Sequence, residues 1–219
     1  MPRQRCTVAP HPMRPRTLEL HTCDGARHTH ITSEPRPLTI WLTGLSGAGK
    51  STLADGAKLW LQGSGIRALR IDGDELRAGL CQDLRFSAED RHENVRRAAQ
   101  IARMLNDQGV LVLVSMISPS ARDRQTAREI VGAERFMEVY VRADVEQCRA
   151  RDPKGLYAQV KRGEIAQFTG ISSPYEPPLA PDLIIDTSTA TETACIDKLA
   201  QTVQRSQEYH RNPLAEHAH

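Results

Sequence analysis

The chain has no run of 18 consecutive apolar residues, which excludes a membrane-spanning helix, and its first residues lack the apolar stretch of a secretory leader. Its five cysteines (Cys6, Cys23, Cys81, Cys148 and Cys195) form no C-x-x-C pair and are odd in number. That pattern argues against a zinc site and a disulfide frame, and reduced thiols in a cytoplasmic protein are expected. Histidine is nearly missing from the body: seven of the eight lie in the terminal segments, leaving His92, so a histidine base is not expected. No internal repeat is present. Charge of one sign is also lacking. Residues 1–37 carry a net +3 with six prolines, but the remaining 182 residues carry a net −1. A near-neutral body lacks the clustered cations that bind nucleic acid.

What is present is alternation. The arm 1–37, basic and rich in Pro and His, reads as a disordered segment, residues 38–208 as one folded domain, and 209–219 as a frayed tail. Apolar runs at 38–43, 66–71, 110–116, 136–141 and 183–186 alternate with helical patterns at 52–62, 87–108, 120–131 and 192–207. Ser87 is the expected N-cap of the long helix and Gly109 its stop. Such alternation implies an α/β fold, with a mostly parallel five-stranded sheet and helices on both faces. Residues 151–181 are polar and rich in Pro and Gly, as expected of a lid.

Gly44-Leu45-Ser46-Gly47-Ala48-Gly49-Lys50-Ser51, with Thr52 behind it, fits G-x-x-x-x-G-K-[ST] between a strand and a helix. Backbone N–H groups of such a loop curl around phosphate, Lys50 offsets the β- and γ-phosphate charge, and the Ser51 hydroxyl suits Mg²⁺. A nucleoside triphosphate with Mg²⁺ is therefore expected. Asp72-Gly73-Asp74 ends the second strand, at the sheet edge where open α/β folds bind ligands. Two carboxylates there can divide metal organisation, with Asp72 beside Ser51, from work as a base. In the long helix, Val95, Ala98, Ala102 and Leu105 form an apolar stripe, and Arg91 and Asn94 continue it as polar residues facing inward. An anionic substrate would satisfy them. Phe86 and Phe168 sit in polar loops where core burial is not expected, and two such rings can sandwich a planar base. Arg77, one helical turn beyond Asp74, adds a cation.

The motifs GLSGAGKST, DGDELR, FS-x-x-DR-x-EN-x-RR, ISP, RDPKGLY and QFTGISSPYEPP follow in this order from about residue 38 to 199. In this the chain resembles the adenylylsulfate kinases. The resemblance implies a P-loop kinase fold with a lid, and transfer of the ATP γ-phosphoryl group to the 3′-hydroxyl of adenosine 5′-phosphosulfate. By motif, it implies that Asp74, Arg77, Arg91, Asn94, the Ile117-Ser118 backbone, Lys154 and Gln167 hold the acceptor, with Phe86 and Phe168 around its adenine. Asp72 or Asp74 would orient the hydroxyl. Ser118 matches a serine marked in the family as a candidate phosphoserine, although direct transfer needs no covalent serine. A homodimer is implied, and a separate ATP sulfurylase must act upstream, since no such domain accompanies the kinase. Three positions depart from the family pattern: Arg85 where Gly is frequent, Met116 where Phe is frequent, and Ala166 where a basic residue is frequent. The competing expectations are another small-molecule P-loop kinase, which would not need this phenylalanine pair with Arg91 and Asn94, and a non-catalytic nucleotide-binding regulator. Loss of Lys50, Ser51 or Asp74 would favour the regulator, and all three are present.

Overall fold

A computed structural model describes residues 36–165 and 167–211, with backbone alone for 208–211. The arm expected over 1–37, all but its last two residues, and the tail beyond 211 lie outside the described residues, as does Ala166. Five parallel strands, β1 (Thr39–Thr43), β2 (Ala68–Asp72), β3 (Leu111–Ser115), β4 (Phe136–Arg142) and β5 (Leu183–Asp186), lie in the order β2-β3-β1-β4-β5. The sheet is all-parallel, one step beyond the mostly parallel expectation. Helices α1 (Lys50–Gly63), α2 (Gly73–Ala78), α3 (Ala88–Asp107), α4 (Ala121–Val131), α5 (Val145–Arg151), α6 (Leu156–Lys161) and α7 (Glu192–Arg211) connect and cover the strands.

The central strand explains the layering. Side chains alternate across a strand, and β1 sends Ile40 and Leu42 into one core and Trp41 into the other, all three fully buried. On the first face α1 and α7 contribute Leu53, Ala57, Leu61, Leu199 and Val203. On the second, α3 contributes Val95, Ala98 and Ala102, and Phe136 stacks on Trp41 with ring centroids 5.6 Å apart. The stripe read from the sequence is the buried face of α3, and Ser87 caps it, its Oγ accepting from the Asp90 N–H at 3.1 Å. Gly109, at φ 69°, takes the left-handed turn that ends the helix.

Three helices, α2, α5 and α6, go beyond the four helical patterns read from the sequence. Helix α5 and, inside the expected lid, helix α6 are only seven and six residues long, too short for periodicity to mark. The Asp152 carboxylate holds the start of α6, accepting from the Tyr157 and Ala158 N–H groups at 3.1 and 3.0 Å.

Candidate active site

A cavity of about 1180 Å³ opens along the C-terminal ends of the strands. The loop between β1 and α1 forms its floor. Gly47 (φ 79°) and Gly49 (φ 94°) take left-handed conformations, and a Cβ on Gly47 would sit 2.8 Å from the Cys148 carbonyl oxygen, so only glycine fits there. The loop's carbonyls are tied away on protein donors. Leu45 O accepts from Lys50 Nζ (2.7 Å), Ser46 O from the Tyr157 hydroxyl (3.0 Å) and Ala48 O from Thr187 Oγ1 (3.0 Å). With these carbonyls held, the glycine-rich amides are left for an anion. Of the predicted phosphate-loop residues, Ser46, Gly47, Gly49, Lys50, Ser51 and Thr52 line the cavity. Leu45 and Ala48 pack in the core, and Gly44 backs onto the Val141 carbonyl.

Lys50 is 8% exposed. Burial, and after it the neighbouring Lys154 charge, push its ammonium down to about 8. Asp72 ends β2, and its Oδ1 caps α2 by accepting from the Asp74 N–H at 2.9 Å. Its Oδ2 accepts from Ser51 Oγ at 2.7 Å and from Arg70 Nη1 at 2.8 Å. Burial opposes its ionisation, but the bonds from Ser51 and the Asp74 amide, with the Arg70 charge, outweigh it and hold its pKa below the ordinary carboxylate value. Arg70 was not singled out from the sequence. The signal was available, since residues 70 and 72 share one face of a strand.

Asp74 stands differently. Its side chain is largely exposed, lines the cavity, and is met by Lys154, which reaches across from the segment after α5. Asn94 is 3% exposed on the cavity wall, and among the described residues its Oδ1 accepts no hydrogen bond. Arg77, Phe86, Arg91, Ile117, Ser118, Gln167 and Phe168 line the same cavity.

Two expectations are corrected here. Phe168 is not a loop ring without a core: it is 7% exposed and meets Tyr157 of α6 edge-on, with centroids 4.9 Å apart. The unrecognised helix α6 supplies that partner. Phe86 does remain exposed, at 60%, with the Arg77 guanidinium 4.7 Å from its ring centroid. Arg91, expected to need an anion, already has protein acceptors. Its Nε donates to Phe86 O (3.0 Å), Nη1 to Thr169 Oγ1 (2.6 Å) and Nη2 to Gln167 O (3.2 Å). It thus joins the 86 loop to residues 167 and 169, and no sequence signal marks backbone carbonyls as its partners.

The far end of the cavity was also missed. Arg151, the last residue of α5, donates through Nη2 to Thr187 O at 2.6 Å, and both residues line the cavity with Ala190 and Glu192. Ser118 is 3% exposed and sits at φ 37°, with its Oγ accepting from Trp41 Nε1 at 3.0 Å. Arg85 and Met116 also line the cavity. Cys81, Cys148 and Cys195 are free thiols, and no described helix is long and apolar enough to cross a membrane.

Comparison with known proteins adds to this geometry. The family model described as "Adenylylsulphate kinase" matches residues 36–186. The chain is 53% identical over 167 residues to the adenylyl-sulfate kinase of Paraburkholderia xenovorans, a match spanning 76% of this chain and 93% of that one. With the adenylyl-sulfate kinase of Pseudomonas aeruginosa it shares 42% identity over 195 residues, spanning 89% of this chain and 99% of that one. Among solved structures it is similar to the APS kinase of Mycobacterium tuberculosis in complex with AMPPNP and APS. That likeness has a TM-score of 0.72 at 46% identity and covers 80% of this chain and 99% of that one.

Proposed function

The chain belongs to the adenylylsulfate kinase family, and we propose from its cavity how it performs that family's reaction. It is an ATP-dependent kinase that phosphorylates adenosine 5′-phosphosulfate (APS) at its 3′-hydroxyl, giving 3′-phosphoadenosine 5′-phosphosulfate and ADP.

In this reading the ATP phosphates lie on the glycine-rich loop, where the desolvated Lys50 ammonium, bonded to the Leu45 carbonyl, gains anionic partners in direct reach. The donor nucleoside lies toward Arg151, Thr187 and Ala190. Ser51 Oγ, Asp72 Oδ2 and Ser115 Oγ offer oxygens alone, with Ser115 Oγ 3.1 Å from Ser51 Oγ. Among the described residues no cluster of three His, Cys, Asp or Glu side chains could cage a metal. A partial, all-oxygen donor set of this kind suits a hard cation such as Mg²⁺, which Ser51 and Asp72 would hold with the bound phosphates. When bound, Mg²⁺ supplies charge neutralisation on the transferring phosphoryl group.

The acceptor lies on the other side, between α3, the 86 loop and the lid. Asp72 is committed to α2, Ser51 and Arg70, so Asp74 is the carboxylate free to take the 3′-hydroxyl proton, with Lys154 beside it to balance charge. Arg77 and Arg91 give the phosphosulfate end a positive field, and Phe86 and Phe168 border the adenine. Arg91 serves a second purpose by holding the lid against the 86 loop. The Ser118 hydroxyl is engaged by Trp41 and almost wholly buried, which supports direct in-line transfer with Ser118 as a positioning group.

The observation that carries the acceptor side is Asn94. A buried amide oxygen with no donor is costly unless a ligand supplies one, and the amine or a ribose hydroxyl of adenosine is such a donor. Asn94→Ala should raise the KM for APS about tenfold and leave ATP affinity within twofold, as read by steady-state ADP release and ATP titration. A loss of ATP affinity with unchanged APS KM would place the acceptor elsewhere.

A further inference from the structure

Ser118 holds a left-handed backbone conformation (φ 37°) that is unfavourable for any residue with a Cβ, and it precedes Pro119, which restricts it further. Strain of this kind persists only when the surroundings over-determine it. Four groups do so. Trp41 Nε1 donates to Ser118 Oγ at 3.0 Å, and Thr43 Oγ1 donates to Ile117 O at 2.7 Å. The Glu176 N–H donates to Pro119 O at 2.9 Å, and Arg124 Nη1 donates to Ser118 O at 2.8 Å.

Arg124 stands apart from the other three. It is 4% exposed on α4, and each arm of its guanidinium reaches a different element. Nε donates to Glu138 Oε1 on β4 at 2.7 Å, Nη1 to the strained turn, and Nη2 to Glu176 O at 2.8 Å, where the lid segment returns to the body. Glu176 completes the knot, its Oε2 accepting from the Ala121 N–H at 2.7 Å at the start of α4. A planar, five-donor fork is the side chain suited to join three acceptors at fixed angles.

From this geometry we propose that Arg124 is a positioning residue for the reaction: it fixes the Ser118 turn and ties it to the C-terminal anchor of the lid, so that alignment of the acceptor depends on it while ATP binding does not. Arg124 does not itself line the cavity and bonds no residue of the phosphate loop; it meets the lining only at the Ser118 carbonyl. It acts through the Ser118 backbone and the lid, and a small misplacement of a bound reactant is enough to cost about a hundredfold in rate. The proposal rests on the assignment of the acceptor pocket given above.

The experiment uses the full chain with ATP and APS. Arg124→Lys keeps a cation beside Glu138 but cannot bridge three acceptors, and it should lower kcat about tenfold or more with ATP affinity within twofold of the parent. Arg124→Met leaves the partly buried Glu138 carboxylate without its ion-pair partner and is expected to fold poorly. The double variant Arg124→Met/Glu138→Leu removes that charge as well, since an apolar pair can replace a buried ion pair without loss of stability. The double variant should recover part of the thermal midpoint lost in Arg124→Met, the Ser118 and Glu176 carbonyls still lacking this donor, but keep a kcat about a hundredfold below the parent. Recovery of kcat to within threefold in the double variant, or a parallel fall in ATP affinity in Arg124→Lys, would show a merely structural ion pair and overturn the proposal. A parent protein without APS-dependent ADP release would instead overturn the acceptor assignment itself.

Discussion

Lys50→Ala is expected to lose activity by about 10²–10³-fold or more in kcat while remaining folded. The loss follows from charge: removing one preorganised donor to a developing anion in a water-poor site costs roughly that factor, and Lys50 also brings a full positive charge to the β- and γ-phosphates. The fold should survive, because burying this ammonium opposes its ionisation. A pH signature accompanies the loss. In the free protein the ammonium is pushed down to about 8 by burial and by Lys154. Bound phosphates favour the charged form, so the complex holds its proton to higher pH than the free protein. Above that pKa, ATP binding therefore takes up a proton, and affinity falls as pH rises, approaching tenfold per unit. Titration calorimetry in buffers of different ionisation enthalpy should record the uptake in the parent and none in Lys50→Ala. A variant with near-normal kcat would remove the phosphate loop from the chemistry.

Asp74→Asn should lower kcat by roughly 10²–10⁴-fold, the range for loss of a positioned general base, with ATP affinity little changed. Asp72→Asn should behave differently. It removes the charge opposite Arg70 and weakens the bonds that hold Ser51 and the start of α2, so it should weaken Mg²⁺-dependent ATP binding as well as turnover. Full activity in Asp74→Asn with inactivity in Asp72→Asn would exchange the two roles. The reason to separate them is structural: both oxygens of Asp72 are already bonded, whereas the carboxylate of Asp74 meets the exposed end of the Lys154 side chain.

How far the sequence could be read depended on where each residue's partners lie. Strand β3 was legible because a strand covered on both faces is apolar throughout, and Val112, Leu113 and Val114 are fully buried. Helix α3 was legible because its cap, stripe and stop are local signals at Ser87, Val95 and Gly109. Asn94 was placed on the inner face by spacing alone, and it is buried there. Partners contributed by unrecognised elements were not legible. Phe168 is half of a ring pair whose other half, Tyr157, sits on a six-residue helix with no periodicity to announce it. Arg91 finds carbonyls from residues 86 and 167, and carbonyls are carried by every residue alike. Arg124 joins three elements that are distant in sequence, and only their packing shows that one side chain holds them together.

On the proposed reading the second half of the cavity takes a sulfated nucleotide. A coupled ADP-release assay with ATP and Mg²⁺ tests this, with APS, AMP, shikimate and gluconate offered singly at equal concentration. APS should be turned over with a kcat/KM at least a hundredfold above each of the others, and 3′-phosphoadenosine 5′-phosphosulfate should accumulate in step with ADP. Comparable turnover of gluconate or shikimate, or ADP release from APS without the 3′-phosphorylated product, would contradict the account.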